Sequence, residues 1–202
     1  MKNSDITQDK RQDILDAAEK VFSANGFTAA KMDEIAELAG VAKGTLYLYF
    51  ENKQDLFVSL LEDRIWEYVA TLTKKLEDVC SVHCFLETLA KVRGQLFIRN
   101  QWLLESLSHS LPNFSRELRL RIWNLRKGLE EPTVEALSRL LPPDHPVTPL
   151  VAAAIVNGAL DYTLATLILH GQPVVLEDVV RALEQVLLPG LSQACGQGCS
   201  GE

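Results

Sequence analysis

Ala36, Gly40 and Leu46 are the fifth, ninth and fifteenth residues of the stretch MDEIAELAGVAKGTLYLYF, which runs from Met32 to Phe50. That spacing admits few folds. Two short helices that cross steeply need a small residue where they touch, and Ala36 supplies it. They need a residue with positive φ in a three-residue turn, which is the conformation glycine adopts most cheaply, at Gly40. They need apolar side chains to fill the wedge, and Ile35, Val41 and Leu46 are in place. This is the steric pattern of a helix-turn-helix, whose second helix enters the major groove of DNA by its N-terminal end.

The second helix of the pair carries residues suited to that task. Lys43 puts a cation in its first turn. Gly44 removes side-chain bulk, so that backbone can approach a surface closely. Thr45 offers a hydroxyl and a methyl to a phosphate, a base edge or a thymine methyl. Tyr47 places a hydroxyl at the end of an apolar ring, and Lys53, at the start of the next helix, is positioned for a backbone phosphate. Tyr49 and Phe50 read as core.

Around this unit the chain reads as helix after helix, and the predicted class is all-α. A stripe at Ile14, Ala18, Val21 and Phe22 has helical period and starts near Gln8. Asn25–Gly26 stops it. Phe27 folds back as an apolar plug. Asn52 with Asp55 has capping-box spacing, and a long helix follows to about Cys80. Further helices are predicted near 82–106, 114–127, 131–141, 149–170 and 176–194, with Thr148 capping the fourth of these and Pro149 at its first position. The organisation is a helix-turn-helix domain over 1–51 and a helical ligand-binding and dimerisation domain over 52–202.

Composition narrows the class. The 202 residues are 47% hydrophobic and 23% charged, with a formal net charge of −7, which suits a globular chain and argues against coating nucleic acid by charge alone. Residues 1–64 hold eight Lys and Arg against twelve Asp and Glu, so DNA affinity must come from a few placed cations and from two domains acting together. The N-terminus lacks the apolar stretch of a signal peptide. The longest apolar run, Val147 to Leu169, is interrupted by Asn157 and Asp161 and reads as a buried helix rather than a membrane span. The cytoplasm is the expected compartment, with no membrane partner. GQGCSG in the tail fits a dinucleotide-binding pattern but lacks the strand and helix that pattern requires. No catalytic constellation is present, and no cofactor or metal is expected.

The stretch ILDAAEKVFSANGFTAAKMDEIAELAGVAKGTLYLYFENKQDLF, Ile14 to Phe57, resembles the N-terminal domain of the TetR family of bacterial transcriptional regulators. GVAKGTLYLYFENKQDLF is similar almost throughout to that family's Gly-Val-Ser-Lys-Gly-Thr-Leu-Tyr-x-Tyr-Phe-x-x-Lys-x-x-Leu pattern. The resemblance implies a three-helix DNA-binding domain, then a body that binds a small effector and forms a homodimer through its last two helices. It implies that Lys43, Gly44 and Thr45 face bases or nearby phosphates and that Tyr47 and Lys53 meet the backbone of a double-stranded operator. Three positions depart from the pattern. Ala42 replaces a frequent serine, which removes an N-cap and a hydroxyl. Lys31 stands where a capping Ser or Thr is common; it opposes the helix dipole but can reach a phosphate. Leu48 replaces a frequent histidine and can touch a thymine methyl but cannot donate a hydrogen bond.

For the effector, aromatic and polar residues on otherwise apolar helices are the candidates: Trp66, Phe97, Trp102, Trp123, Asn124, Asn157, Asp161 and Tyr162. They suggest a bulky, mainly apolar ligand that releases a repressor from a palindrome. The alternative reading of Asn157 and Asp161 is a hydrogen-bonded group in the core or at a dimer interface. Helices near 149–170 and 176–194 are the dimer candidates, the first for its small residues and the second for its wide apolar stripe. A second function is a thiol- or metal-responsive regulator using Cys80, His83 and Cys84. A third is an all-α enzyme or binding protein that does not use DNA.

Overall fold

The structure, a computed structural model, describes residues 2–102 and 114–192. Eight helices are described: α1 (Lys2–Ala29), α2 (Met32–Leu38), α3 (Lys43–Tyr49), α4 (Lys53–Glu77), α5 (Val82–Arg99), α6 (Arg116–Leu140), α7 (Pro149–Leu169) and α8 (Leu176–Leu191). The described residues contain no strand, as the helical periodicity predicts. GQGCSG, at residues 196–201, lies outside the described residues.

Three boundaries differ from the sequence reading. α1 starts at Lys2 rather than near Gln8, because extending an established helix fixes one residue per hydrogen bond and needs no new nucleus. α5 ends at Arg99 with a turn at Asn100, inside the span predicted as one helix over 82–106. The two helices predicted over 114–127 and 131–141 are a single one, α6, with Pro132 inside it. Gly128 and Pro132 look like punctuation in sequence, and an interior proline costs about 3 kcal/mol. Both are buried here, in line with Leu125, Thr133, Ala136 and Leu137, so burial along one stripe carries the helix through.

The chain divides into two compact units, one of residues 1–66 with 100–125 and one of 67–99 with 126–202. The first takes in more than the three helices expected over 1–51, since the start of α4 belongs with them. Phe57 of α4 is fully buried in it, with ring centroids 5.6 Å from Phe22, 5.0 Å from Phe27, 6.1 Å from Trp102 and 6.0 Å from Phe114. All four of these contacts are edge-on, which suits the quadrupoles of the rings. Gly26, at φ 71°, breaks the helical path and lets Phe27 turn back against Phe22.

The start of α4 is fixed by a reciprocal cap. Asp55 N donates to Asn52 Oδ1 at 2.9 Å, and Glu51 N donates to Asp55 Oδ2 at 3.1 Å. Arg121 of α6 then grips the same helix, donating to Asp55 Oδ1 at 2.7 Å, to both oxygens of Glu62 at 2.8 and 2.6 Å and to Ser59 Oγ at 3.1 Å. The paired carboxylates hold the guanidinium far into its charged form.

In the second unit, Leu72 and Leu76 of α4 pack with Phe85, Leu86 and Leu89 of α5, Leu137 of α6 and Val156, Leu160 and Leu164 of α7. Gly94 of α5 lies directly under the side chain of Leu176, where a Cβ would collide, so α5 and α8 approach closely there. Thr148 caps α7 through Val151 N, and Pro149 takes its first turn, as predicted. α7 departs from the reading as a buried helix. It buries Ala152, Ala153, Val156, Asn157, Leu160 and Leu164 on one side, while Leu150, Val151, Ile155 and Tyr162 stay exposed. It is also long and apolar enough to cross a membrane by length and composition, with a third of its most apolar window buried.

The aromatic cluster makes a direct prediction. Phe57→Ala lowers the unfolding free energy by roughly 3–5 kcal/mol, the usual cost of emptying a buried aromatic site. Urea unfolding of the full chain measures it, and a loss below about 1 kcal/mol would show that the cluster does not hold the first unit together.

Candidate functional site

α2 ends in a hydrogen-bonded turn built on Gly40. Its φ is 66°, Gly40 N donates to Glu37 O at 3.1 Å and Val41 N to Ala36 O at 3.0 Å. These two bonds satisfy the last carbonyls of α2 and swing the chain into α3. Ile35, Ala36 and Leu46 are buried between the two helices, as the spacing predicts. Neither helix has a side-chain cap: Lys31 precedes α2 and Ala42 precedes α3, each extended and each without a side-chain hydrogen bond to the helix. Asp33 and Glu34 in the first turn of α2 offset the missing cap electrostatically.

α3 has two faces. Leu46 points inward, with Phe50 buried just past its end. Lys43, Gly44, Tyr47 and Leu48 line the outer face, one turn apart in pairs, and all four are exposed. Leu48 is 85% exposed and Tyr47 44%, so two large side chains stand in water on this face. Thr45 is half-buried at the flank, and Lys31 and Ala42 are exposed.

Gly44 is the informative residue. A Cβ there would have nothing within 4 Å, and its φ is not in the left-handed region. The fold therefore does not need a glycine at this position, although glycine in a helix costs up to about 1 kcal/mol relative to alanine. What an exposed helical glycine does allow is close approach of another molecule to the backbone.

The cations around this face are partly engaged in the free chain. Lys43 Nζ lies 2.7 Å from Asp33 Oδ1, and that carboxylate raises its pKa. Lys53 Nζ donates to Thr28 O and Ala30 O, both at 2.9 Å, and sits 4.9 Å from the centroid of Phe27. Lys53 thus ties the end of α1 to the start of α4, while partial burial lowers its pKa. An ammonium has three donors, so one N–H remains for a phosphate. Nothing in the sequence flagged the two carbonyls, which come from residues more than twenty positions away.

The effector candidates fall in different places. In the first unit, Trp102 packs against Phe22 and Phe57, and Trp66, Trp123 and Asn124 are not buried: Trp66 and Trp123 are more than half exposed. In the second unit, Tyr162 is exposed and Phe97 is half-buried against the core. Only Asn157 and Asp161 are brought together, by a residue that sequence reasoning missed. Arg93 of α5, 2% exposed, donates from Nη2 to Asn157 Oδ1 at 3.1 Å and lies 3.3 Å from Asp161. Its guanidinium carbon sits 4.9 Å from the centroid of Tyr68, and Thr133 Oγ1 lies 3.4 Å from Asn157 Oδ1. Arg93 stands between apolar residues at positions 92 and 97, and a lone arginine on an amphipathic helix usually faces solvent. The one available signal is that Leu86, Leu89 and Ala90 put the same helix stripe in the core.

Cys80 and Cys84 are free thiols, and His83 Nδ1 lies 3.1 Å from Glu184. Among the described residues no three His, Cys, Asp or Glu side chains are placed to hold a metal.

A glycine-turned helix pair with an exposed second helix defines a helix-turn-helix DNA-binding protein. Residues 14–60 match the sequence profile of "Bacterial regulatory proteins, tetR family". The Fatty acid metabolism regulator protein of Bacillus subtilis (strain 168) is 29% identical over 163 residues, 80% of this chain and 78% of that protein. The transcriptional regulator FadR from Bacillus subtilis, crystallised in complex with stearoyl-CoA, superposes with a TM-score of 0.73 at 24% identity, over 89% of this chain and 98% of that one. The fatty acid degradation regulator FadR from Bacillus halodurans gives 0.72 at 26% identity, over 89% and 98%. Residues 14–60 thus carry a DNA-binding domain of the TetR family of bacterial regulators, and these relatives are regulators rather than enzymes.

Two substitutions separate folding from DNA contact. Gly44→Ala raises the unfolding free energy by up to about 1 kcal/mol and weakens DNA binding at least about tenfold, since one methyl at a close contact costs about 1.4 kcal/mol or more. Asp33→Asn releases Lys43 and tightens DNA binding, with the largest gain at low salt. Urea unfolding and fluorescence anisotropy on the same preparations read both, and unchanged DNA affinity in Gly44→Ala would take α3 out of the interface.

Proposed function

We propose that the protein is a dimeric, sequence-specific repressor that a long-chain acyl-CoA releases from a palindromic operator. The observation that carries the DNA-binding half is the exposed outer face of α3, with Gly44 free of any intramolecular need for glycine. Lys31, Ala42, Lys43, Gly44, Thr45, Tyr47, Leu48 and Lys53 are the proposed contacts. Two copies of the face, about 34–36 Å apart, would read successive major grooves.

The exposed apolar residues of α7 and α8 support the dimer. Leu150, Val151, Ile155 and Tyr162 of α7 and Val186 of α8 are large side chains that stay exposed on these two helices, and an exposed apolar patch marks an interaction surface. A cleft of about 170 Å³ between the helices is lined by Ile155, Val156, Val186 and Leu187, among others, and offers a seat for a partner side chain. A twofold pairing of α7 and α8 would form a four-helix bundle and cover the surface that otherwise passes for a membrane span. A cytoplasmic location, shared with the operator, goes with this reading.

The acyl-CoA reading rests on the relatives. The regulator matched over four-fifths of the chain is named for fatty acid metabolism, and a structural neighbour holds stearoyl-CoA. Of the eight effector candidates, Phe97, Asn157 and Asp161 are retained for this role, joined by Arg93. Release follows if the ligand binds more tightly to a form whose two DNA-binding domains are wrongly spaced. A thiol- or metal-sensing mechanism has less support, because His83 is directed to Glu184 rather than to the two cysteines.

Anisotropy with DNA flanking the gene, followed by random-site selection, tests the first half. Tight, salt-dependent binding to a palindrome, lost in Lys43→Ala/Tyr47→Ala and reversed by palmitoyl-CoA, is the expected result. A selection that enriches no sequence would defeat the proposal. Ile155→Glu is expected to sediment as a folded monomer with operator affinity reduced at least about a hundredfold, because one domain makes half the phosphate contacts. A variant that remains a dimer places the interface elsewhere.

A further inference from the structure

Four helices of the second unit meet at Arg93. Tyr68 comes from α4, Arg93 from α5, Thr133 from α6, and Asn157 with Asp161 from α7. The surroundings are apolar: Leu89 and Ala90 lie one turn before Arg93, and Leu160 and Leu164 follow Asn157 on its side of α7. A polar group in such a place is costly unless it is paired.

The pairing is uneven. The acceptor oxygen of Asn157 takes bonds from both Arg93 and Thr133, and the charge of Arg93 is balanced by Asp161 at 3.3 Å. Three donors are left over. Tyr68 Oη, Arg93 Nε and Asn157 Nδ2 are buried and make no hydrogen bond of normal geometry among the described residues, although the Tyr68 hydroxyl lies close enough to Arg93 to feel its guanidinium. Burial pushes the Tyr68 hydroxyl up to about 12, so it is a protonated donor throughout the neutral range. With the acceptor Asp161 Oδ1 facing the guanidinium of Arg93 at 3.3 Å, the cluster is neutral in charge and in excess of donors. A carboxylate would bring an unbalanced negative charge into it, whereas a neutral carbonyl oxygen supplies the missing acceptor at no electrostatic cost. Asp161, 39% exposed, opens one side of the cluster to solvent.

We propose that Tyr68, Arg93 and Asn157 form the binding site for the thioester carbonyl of the acyl effector, holding its oxygen by hydrogen bonds while Asp161 keeps Arg93 charge-neutral. This rests on the acyl-CoA reading above. It specifies which atom of the ligand is recognised and why a thioester is preferred to a ligand without a carbonyl. It also places one contact, Tyr68, on the helix whose first half belongs to the DNA-binding unit, so ligand occupancy acts on that helix directly.

The test compares palmitoyl-CoA with S-hexadecyl-CoA, a thioether that keeps the chain and the nucleotide but lacks the carbonyl. Calorimetric titration of the full chain is expected to show the thioester binding at least about tenfold more tightly, the worth of one to two buried hydrogen bonds. Tyr68→Phe removes a hydroxyl whose one polar neighbour is Arg93 and which makes no well-formed hydrogen bond, so its thermal midpoint changes little, while the thioester preference falls about three- to tenfold. Asn157→Asp, which replaces the donor by an acceptor for Arg93, loses the preference as well. Equal affinities in the wild-type chain, or a preference left intact in Tyr68→Phe, overturn this inference and leave the acyl-CoA reading standing. Binding of neither ligand overturns the acyl-CoA reading, and this inference with it.

Discussion

The burial of Phe57 among Phe22, Phe27, Trp102 and Phe114 is the contact on which the DNA-binding unit depends. α2 and α3 have 7 residues each, too short to hold a helical conformation alone. They persist because α1 and the start of α4 give them a surface to pack on, and Phe57 joins those two helices. The glycine turn at Gly40 sets the angle between α2 and α3, while the aromatic cluster supplies the platform. Lys53, bonded to two carbonyls near the end of α1, and the reciprocal cap of Asn52 and Asp55 fix the point where α4 leaves that platform.

Charge is used sparingly in this unit. An acidic domain that must meet a polyanion cannot rely on a broad positive field. Lys43 and Lys53 are both held in the free chain, one by a carboxylate and one by carbonyls and a ring. Arg64 is within ion-pair reach of Asp16, Glu19 and Asp63, and Arg121 of Asp55 and Glu62. These pairs position the helices rather than attract DNA. Under the proposed function, binding exchanges a few of these protein contacts for phosphates and pairs two domains on one operator.

The second unit shows a different balance between local pattern and packing. Its apolar stripes predicted helices with fair boundaries, but α6 passes through Pro132 because buried residues on both sides outweigh the lost hydrogen bond. Asn157 and Asp161 were legible as a polar pair one turn apart in an apolar helix. Their partner was not. Arg93 is 68 residues away from Asp161 in the chain and carries no local mark of burial. The tryptophans illustrate the converse: large aromatic residues stand out in sequence, yet Trp66 and Trp123 are surface residues and Trp102 is packing.

The sequence by itself determined the helix-turn-helix, its glycine turn, its outward residues and the cap of α4. These depend on spacings of three to fifteen residues, and the backbone geometry of a helix and a tight turn converts such spacings directly into positions. Tertiary structure alone decided which cations remain available, which aromatic residues are core, and that Arg93 joins Tyr68 and Asn157 in one buried cluster. Those outcomes depend on contacts between residues dozens of positions apart, where local periodicity says which face of a helix is apolar but not which helix will cover it.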